Sequence, residues 1–106
     1  FSQAATGASG IETLLSLSLE LFHNGSVKLE TIIQALTSNP AKILKINKGN
    51  LSIGNDADFC IVDINKPWIV KKENLMSKSK NTSIEDKKLQ GKVTNTFVKG
   101  KELFKI

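Results

Sequence analysis

The 106 residues carry 40% hydrophobic and 24% charged side chains, enough for one folded domain or part of one, and no apolar run approaches the roughly 18–20 residues of a bilayer-spanning helix. A net charge of +5 invites a nucleic-acid partner, yet all fifteen basic residues are lysine, tyrosine is absent and Trp68 is the only tryptophan. Without arginine forks or stacking platforms the lysines read as a solvated face, and the single Cys60, with no partner for a disulfide within the chain, points to a reducing cytoplasm.

Residues 1–8 are small and polar and read as loop. Ser9 and Glu12 stand in the S-x-x-E spacing of a capping box, so a helix should follow. "LSLSLEL" at residues 15–21 alternates like a strand, but leucine favours helix, and Glu12, Ser16, Glu20 and His23 fall on one helical stripe. The rest of the circumference is apolar, so the helix should be buried on most sides until Asn24-Gly25 ends it through a left-handed cap. "LETIIQALT" at 29–37 repeats the helical pattern. Asn39-Pro40 reads as an N-cap with Pro at the first helical position, opening a short helix that runs to Leu44.

After Gly49 the pattern changes to turns and strands. The apolar run 59–62 between aspartates predicts a short buried strand, and Trp68-Ile69-Val70 a second. Residues 71–88 read as a long lysine- and serine-rich surface loop. Residues 93–98 and 102–104 read as two strands joined by a tight turn at Lys99-Gly100. Helices so apolar normally sit against a larger core, and so few strands do not close a sheet, so the chain is expected to present surfaces made for pieces it does not contain.

Side chains with catalytic or metal-binding chemistry are sparse. His23 is the only histidine and reads as a helix-end residue favoured by the dipole. One histidine and one cysteine make no zinc site. Asp56, Asp58 and Asp63 lack calcium-loop spacing and read as turn and strand-end residues. Cys60, within an apolar run, reads as a small buried hydrophobe. Gly7 and Gly10 bracket the start of the first helix, where main-chain N–H groups are free and a glycine admits close approach of a ligand; the same glycines would equally serve a sharp loop-to-helix turn.

Four stretches carry a family resemblance. "FSQAATGASGIET" is similar to the F-x-x-A-P-F-G-x-x-G-L-E-T segment of bacterial dihydroorotases, and "LTSNPAKIL" resembles the helix pair that follows it. "GNLSIGNDADFCIVD" resembles the family's G-x-L-x-x-G-x-x-A-D-x-x-x-x-D signature, which many amidohydrolases share. "SKSKNTSIEDKKLQGKVTNTFVKGKELF" resembles its S-K-x-x-N-T-P-F-x-G tail. The match covers essentially the whole chain, in order. It departs from the pattern at Ala5-Thr6, where the family has Pro-Phe, and in the tail at Ser83-Ile84 and Asp86.

The resemblance implies an α/β fold: residues 1–48 as the last loop and helices of a metal-dependent-hydrolase TIM barrel, and residues 49–106 as the C-terminal part of its accessory β-sandwich. Phe1 would then not be a natural start, and the chain would be the C-terminal portion of a longer enzyme. That enzyme would interconvert N-carbamoyl-L-aspartate and dihydroorotate in pyrimidine synthesis. It would use zinc held by histidines, an aspartate and often a carboxylated lysine, none of whose motifs occur here, so the segment alone should be inactive. The substrate-contacting dipeptide of the family falls on Thr6 and Gly7, with Ala5 adjacent. The partners implied are the substrate, the missing N-terminal part and a second copy in a homodimer, with aspartate transcarbamoylase as a further candidate and neither nucleic acid nor membrane. A non-catalytic scaffolding subunit, an allantoinase and a hydantoinase are the alternatives.

Overall fold

In the computed structural model, residues 12–76, 82 and 84–106 are described. The first helix, α1, runs Leu14–His23. It starts after Thr13, which is buried, and not on a capping box: Ser9 lies outside the described residues, and Glu12 turns its carboxylate to the N–H of Met76 at 2.9 Å. Its end is as expected. Gly25 takes φ +80°, and the N–H groups of Gly25 and Ser26 return to the carbonyls of Phe22 and Leu21.

Helix α2 (Leu29–Leu36) and helix α3 (Ser38–Leu44) meet at Thr37, whose hydroxyl donates to the Ile33 carbonyl at 2.6 Å. Helix α3 begins one residue before the expected N-cap Asn39. Pro40 therefore sits within the first turn, where its missing N–H leaves no helical bond unmade. Lys45, at φ 56°, closes α3 in the left-handed conformation.

The remainder is a three-stranded antiparallel sheet in sequence order: β1 (Phe59–Ile69), β2 (Lys88–Val98) and β3 (Lys101–Lys105). The two strands expected at 59–62 and 68–70 are one strand with an irregular centre. Pairing with β2 breaks between Asp63 and Pro67, where the Asp63 carboxylate accepts from the Asn65 N–H at 3.0 Å. That local bond offers the backbone an alternative to the ladder, which is why the sequence looked like two pieces. Within the expected loop 71–88 lie a short 3₁₀ turn, Lys72–Asn74, and a turn at 84–86. The latter is tied back by Asp86 N–H to Val70 O at 2.8 Å and by Val70 N–H to Lys87 O at 2.9 Å.

Burial corrects two further expectations. The apolar run at the start of β1 is not buried: Phe59, Cys60 and Ile61 are all exposed, because no second layer of this chain covers that part of the sheet. The Phe59 and Phe97 rings instead stack on each other across the β1–β2 pair, 4.6 Å between centroids. Nor is α1 covered on most sides; Leu14 is 55% and Leu21 46% exposed, while Leu19 is fully buried. The core among the described residues is small, comprising Leu19, Ile32, Ala41, Val70, Leu75 and Leu89. Ile43, Leu44, Leu51 and Ile53 also stand in the open.

The loop between α3 and β1 is held by side-chain polar bonds. Asn47 donates to Asn55 at 2.8 Å, and Asn55 in turn to Asn50. Asp58 fastens the end of this loop to the β2–β3 turn. One oxygen accepts from Lys99 N–H at 2.8 Å, the other meets Lys48 Nζ at 2.5 Å, and Gly100 N–H bonds Ala57 O at 3.0 Å. Lys99 and Gly100 both have positive φ, as a two-residue hairpin turn requires. The Lys48 side chain, followed by the Lys99 N–H, holds the Asp58 carboxyl below its ordinary range. Its ionised form therefore binds more strongly in the folded state, and its contribution is complete above about pH 4 and is lost as pH falls through the lowered value. Asp58→Asn is expected to flatten the acid limb of a stability-against-pH profile. Melts between about pH 3 and pH 6 check this, and an unchanged slope would contradict it.

Candidate functional site

The sequence-predicted contact residues Ala5, Thr6 and Gly7 lie outside the described residues. What the structure does describe is the platform that follows them, and it is built from the polar stripe of α1. Helical periodicity puts Ser16, Glu20 and His23 on one side of α1, with Glu12 just ahead of it. All four bond to the strand-rich half of the chain. Glu12 accepts from Met76 N–H, Glu20 meets Lys87 Nζ at 3.3 Å, and His23 Nε2 lies 2.8 Å from the Ile64 carbonyl. The carbonyl can only accept, so His23 carries its proton on Nε2 here.

Ser16 makes the central contact and is 2% exposed. Its hydroxyl donates to the Gly91 carbonyl of β2. The Trp68 indole N–H, from β1, reaches both Ser16 Oγ and Gly91 O at 3.0 Å. The hydroxyl thus uses its proton on one partner and a lone pair on the other, and among the described residues no buried side-chain polar atom is left without a bond. On the open side of the indole the Lys92 ammonium stands 4.6 Å from the ring centroid, a cation–π contact. One turn along α1 from Ser16, Leu19 packs onto Gly91 so closely that a Cβ there would meet Leu19 Cδ1 at 2.4 Å. Gly91 also has φ +109°, a region that residues with a side chain rarely adopt.

The polar stripe of α1 therefore faces inward and some of its leucines face outward, the reverse of an ordinary amphipathic helix. Sequence reasoning assigned His23 to the helix dipole and missed Ser16, Trp68 and Gly91 altogether. The available signals were a serine centred on the polar stripe of a leucine helix and a glycine inside an otherwise strand-forming run.

A metal has no seat here. Among the described residues no three His, Cys, Asp or Glu side chains are grouped to hold an ion, and the remaining residues include none of these types. The zinc that the resemblance implies does not fit this stretch. Asp58 and Asp63 are turn and strand residues, as their positions suggested, and Cys60 is exposed. Among the described residues no helix is long and apolar enough to cross a membrane.

Comparison with known proteins adds the family context. The Amidohydrolase family model matches residues 4–103. The dihydroorotase of Ehrlichia canis (strain Jake) is 42% identical over 101 residues, 95% of this chain and 23% of the relative. That of Aquifex aeolicus (strain VF5) is 41% identical over 102 residues, 96% of this chain and 24% of the relative. Among solved structures, the L-hydantoinase (dihydropyrimidinase) of Arthrobacter aurescens superposes with a TM-score of 0.89 at 30% identity, over 96% of this chain and 23% of that one. A D-hydantoinase, at a TM-score of 0.86 and 22% identity over 95% of this chain and 22% of its own, shares the fold. The chain spans less than a quarter of the length of each of these proteins.

Proposed function

The chain belongs to the amidohydrolase family, and from that premise we propose that it is the C-terminal portion of a dihydroorotase, the enzyme that reversibly cyclises N-carbamoyl-L-aspartate to dihydroorotate. The observation that carries this is the identity of 42% and 41% to dihydroorotases over 95% and 96% of the chain, against 30% to the hydantoinase structure. In this reading residues 1–48 are the last loop and helices of a TIM barrel and residues 49–106 are the C-terminal part of a β-sandwich. The substrate meets the main chain at Thr6 and Gly7, beside Ala5. A glycine at that point lets a ligand approach the backbone without a Cβ in the way. The replacement of Pro-Phe by Ala5-Thr6 alters side chains and loop stiffness but leaves main-chain N–H groups available to a carboxylate or amide.

Zinc belongs to the same proposal, but its ligands come from outside this chain, so the share of the work done here is substrate contact and support of the loop that makes it. The enzyme is further proposed to be cytoplasmic and homodimeric, with aspartate transcarbamoylase as a candidate partner. The likeness to L-hydantoinase at a TM-score of 0.89 favours a second reading, in which the ring opened is a hydantoin or dihydropyrimidine. The test is an assay of the full-length enzyme with zinc on dihydroorotate, allantoin and a hydantoin, followed chromatographically. The expected result is ring opening of dihydroorotate well ahead of the others, and none by the 106-residue segment alone. Preference for the hydantoin would overturn the dihydroorotase reading, and turnover by the segment would overturn its inertness.

A further inference from the structure

We infer that Trp68, through Ser16 and Gly91, is a positioning residue that sets where α1 begins and thereby where the segment carrying Thr6 and Gly7 is delivered; for its effect on substrate this rests on the dihydroorotase reading above. The four polar ties of α1 are unequal. Those of Glu12 and Glu20 lie at exposed side chains, where water and salt compete with them, and that of His23 is only part-buried. The Ser16–Trp68–Gly91 knot is the one at a buried point of the helix, with Ser16 and Gly91 both enclosed and Leu19 filling the space beside them.

An apolar contact such as Leu19 on Gly91 tolerates sliding, because dispersion has no preferred direction. A hydroxyl held between one carbonyl and one indole N–H does not. Slipping α1 along its axis by one residue, about 1.5 Å, would break both bonds at once. The knot thus fixes the axial register of the helix against the sheet. Register at the start of α1 is passed to the chain just ahead of it, and Gly7 is less than two helical turns' worth of residues before Thr13. Because the proposed contact is made by main chain, it depends on where the backbone lies and not on a side chain that could readjust.

Trp68→Phe tests this in the full-length enzyme. The ring and its packing remain, and Gly91 O keeps the Ser16 hydroxyl as donor, so no buried carbonyl is stranded. Two readouts are taken together: KM and kcat for dihydroorotate, and amide hydrogen exchange of the segment ahead of α1. The expected result is a KM raised about fivefold with kcat within about twofold of wild type, the pattern of a lost ground-state contact. Exchange ahead of α1 should quicken by a similar factor of about five while the β2 amides keep their protection. Ser16→Ala should act alike, and the double variant should add little to either, since both remove one knot. A lowered melting temperature with KM and exchange unchanged would make Trp68 merely structural and overturn the inference. If wild type opens no dihydroorotate, the substrate reading fails by itself, and exchange alone decides the positioning role.

Discussion

Replacing Gly91 with alanine is expected to lower the opening free energy of α1 by about 3 kcal/mol, the sum of backbone strain and overpacking of about 1–3 kcal/mol each. Both causes are visible. The residue sits at φ +109°, and the added methyl would stand 2.4 Å from Leu19 Cδ1 and 3.3 Å from the Ile64 carbonyl oxygen. A terminal methyl on a flexible side chain could ordinarily move aside at little cost. Leu19 is fully buried, however, and has nowhere to go without lifting α1 from the sheet. Lifting the helix also breaks the Ser16–Gly91 and Trp68–Ser16 bonds. Native-state hydrogen exchange on α1 and β2 amides reads the effect. Protection within about 0.5 kcal/mol of wild type would show that the contact is not tight.

Leu19→Ala is expected to cost a similar amount, about 3 kcal/mol, for the opposite reason, since it empties a site between helix and sheet that nothing else fills. The two changes should not add. Removing the Leu19 branch opens the volume that the Gly91→Ala methyl needs, so the double variant should be less damaged than the sum by about 1 kcal/mol or more, leaving only the φ strain. Strict additivity, measured by the same exchange experiment, would mean that the two residues do not share one space.

Much of the fold was legible from local chemistry. Asn24-Gly25 and Lys99-Gly100 were readable because a left-handed backbone needs those residue types. The helical stripe through Ser16, Glu20 and His23 was readable from spacing alone. What the stripe faces was not. Hydrophobic patterning assumes that leucines point inward, yet here the serine is enclosed and Leu14 and Leu21 are open. The partners that reverse the sense, Trp68 and Gly91, lie far along the chain, and no periodicity within α1 refers to them. The same reasoning explains Cys60 and Phe59. An apolar run says that a strand forms, but whether it is buried depends on a second layer whose presence sequence pattern does not record. Residues Ala5, Thr6 and Gly7 were accessible only through family resemblance, since a main-chain contact leaves no side-chain signature.

The Ser16–Gly91 bond joins residues 75 positions apart, whereas the β2–β3 hairpin closes through two residues. The entropy of closing a loop rises with its length, so the hairpin forms cheaply and early, and the helix settles onto it late. Interactions made after the rate-limiting step govern how fast a protein comes apart more than how fast it assembles. The seam under α1 is thus where this part of the molecule would first begin to unzip, and its glycine sets the lifetime of the native state.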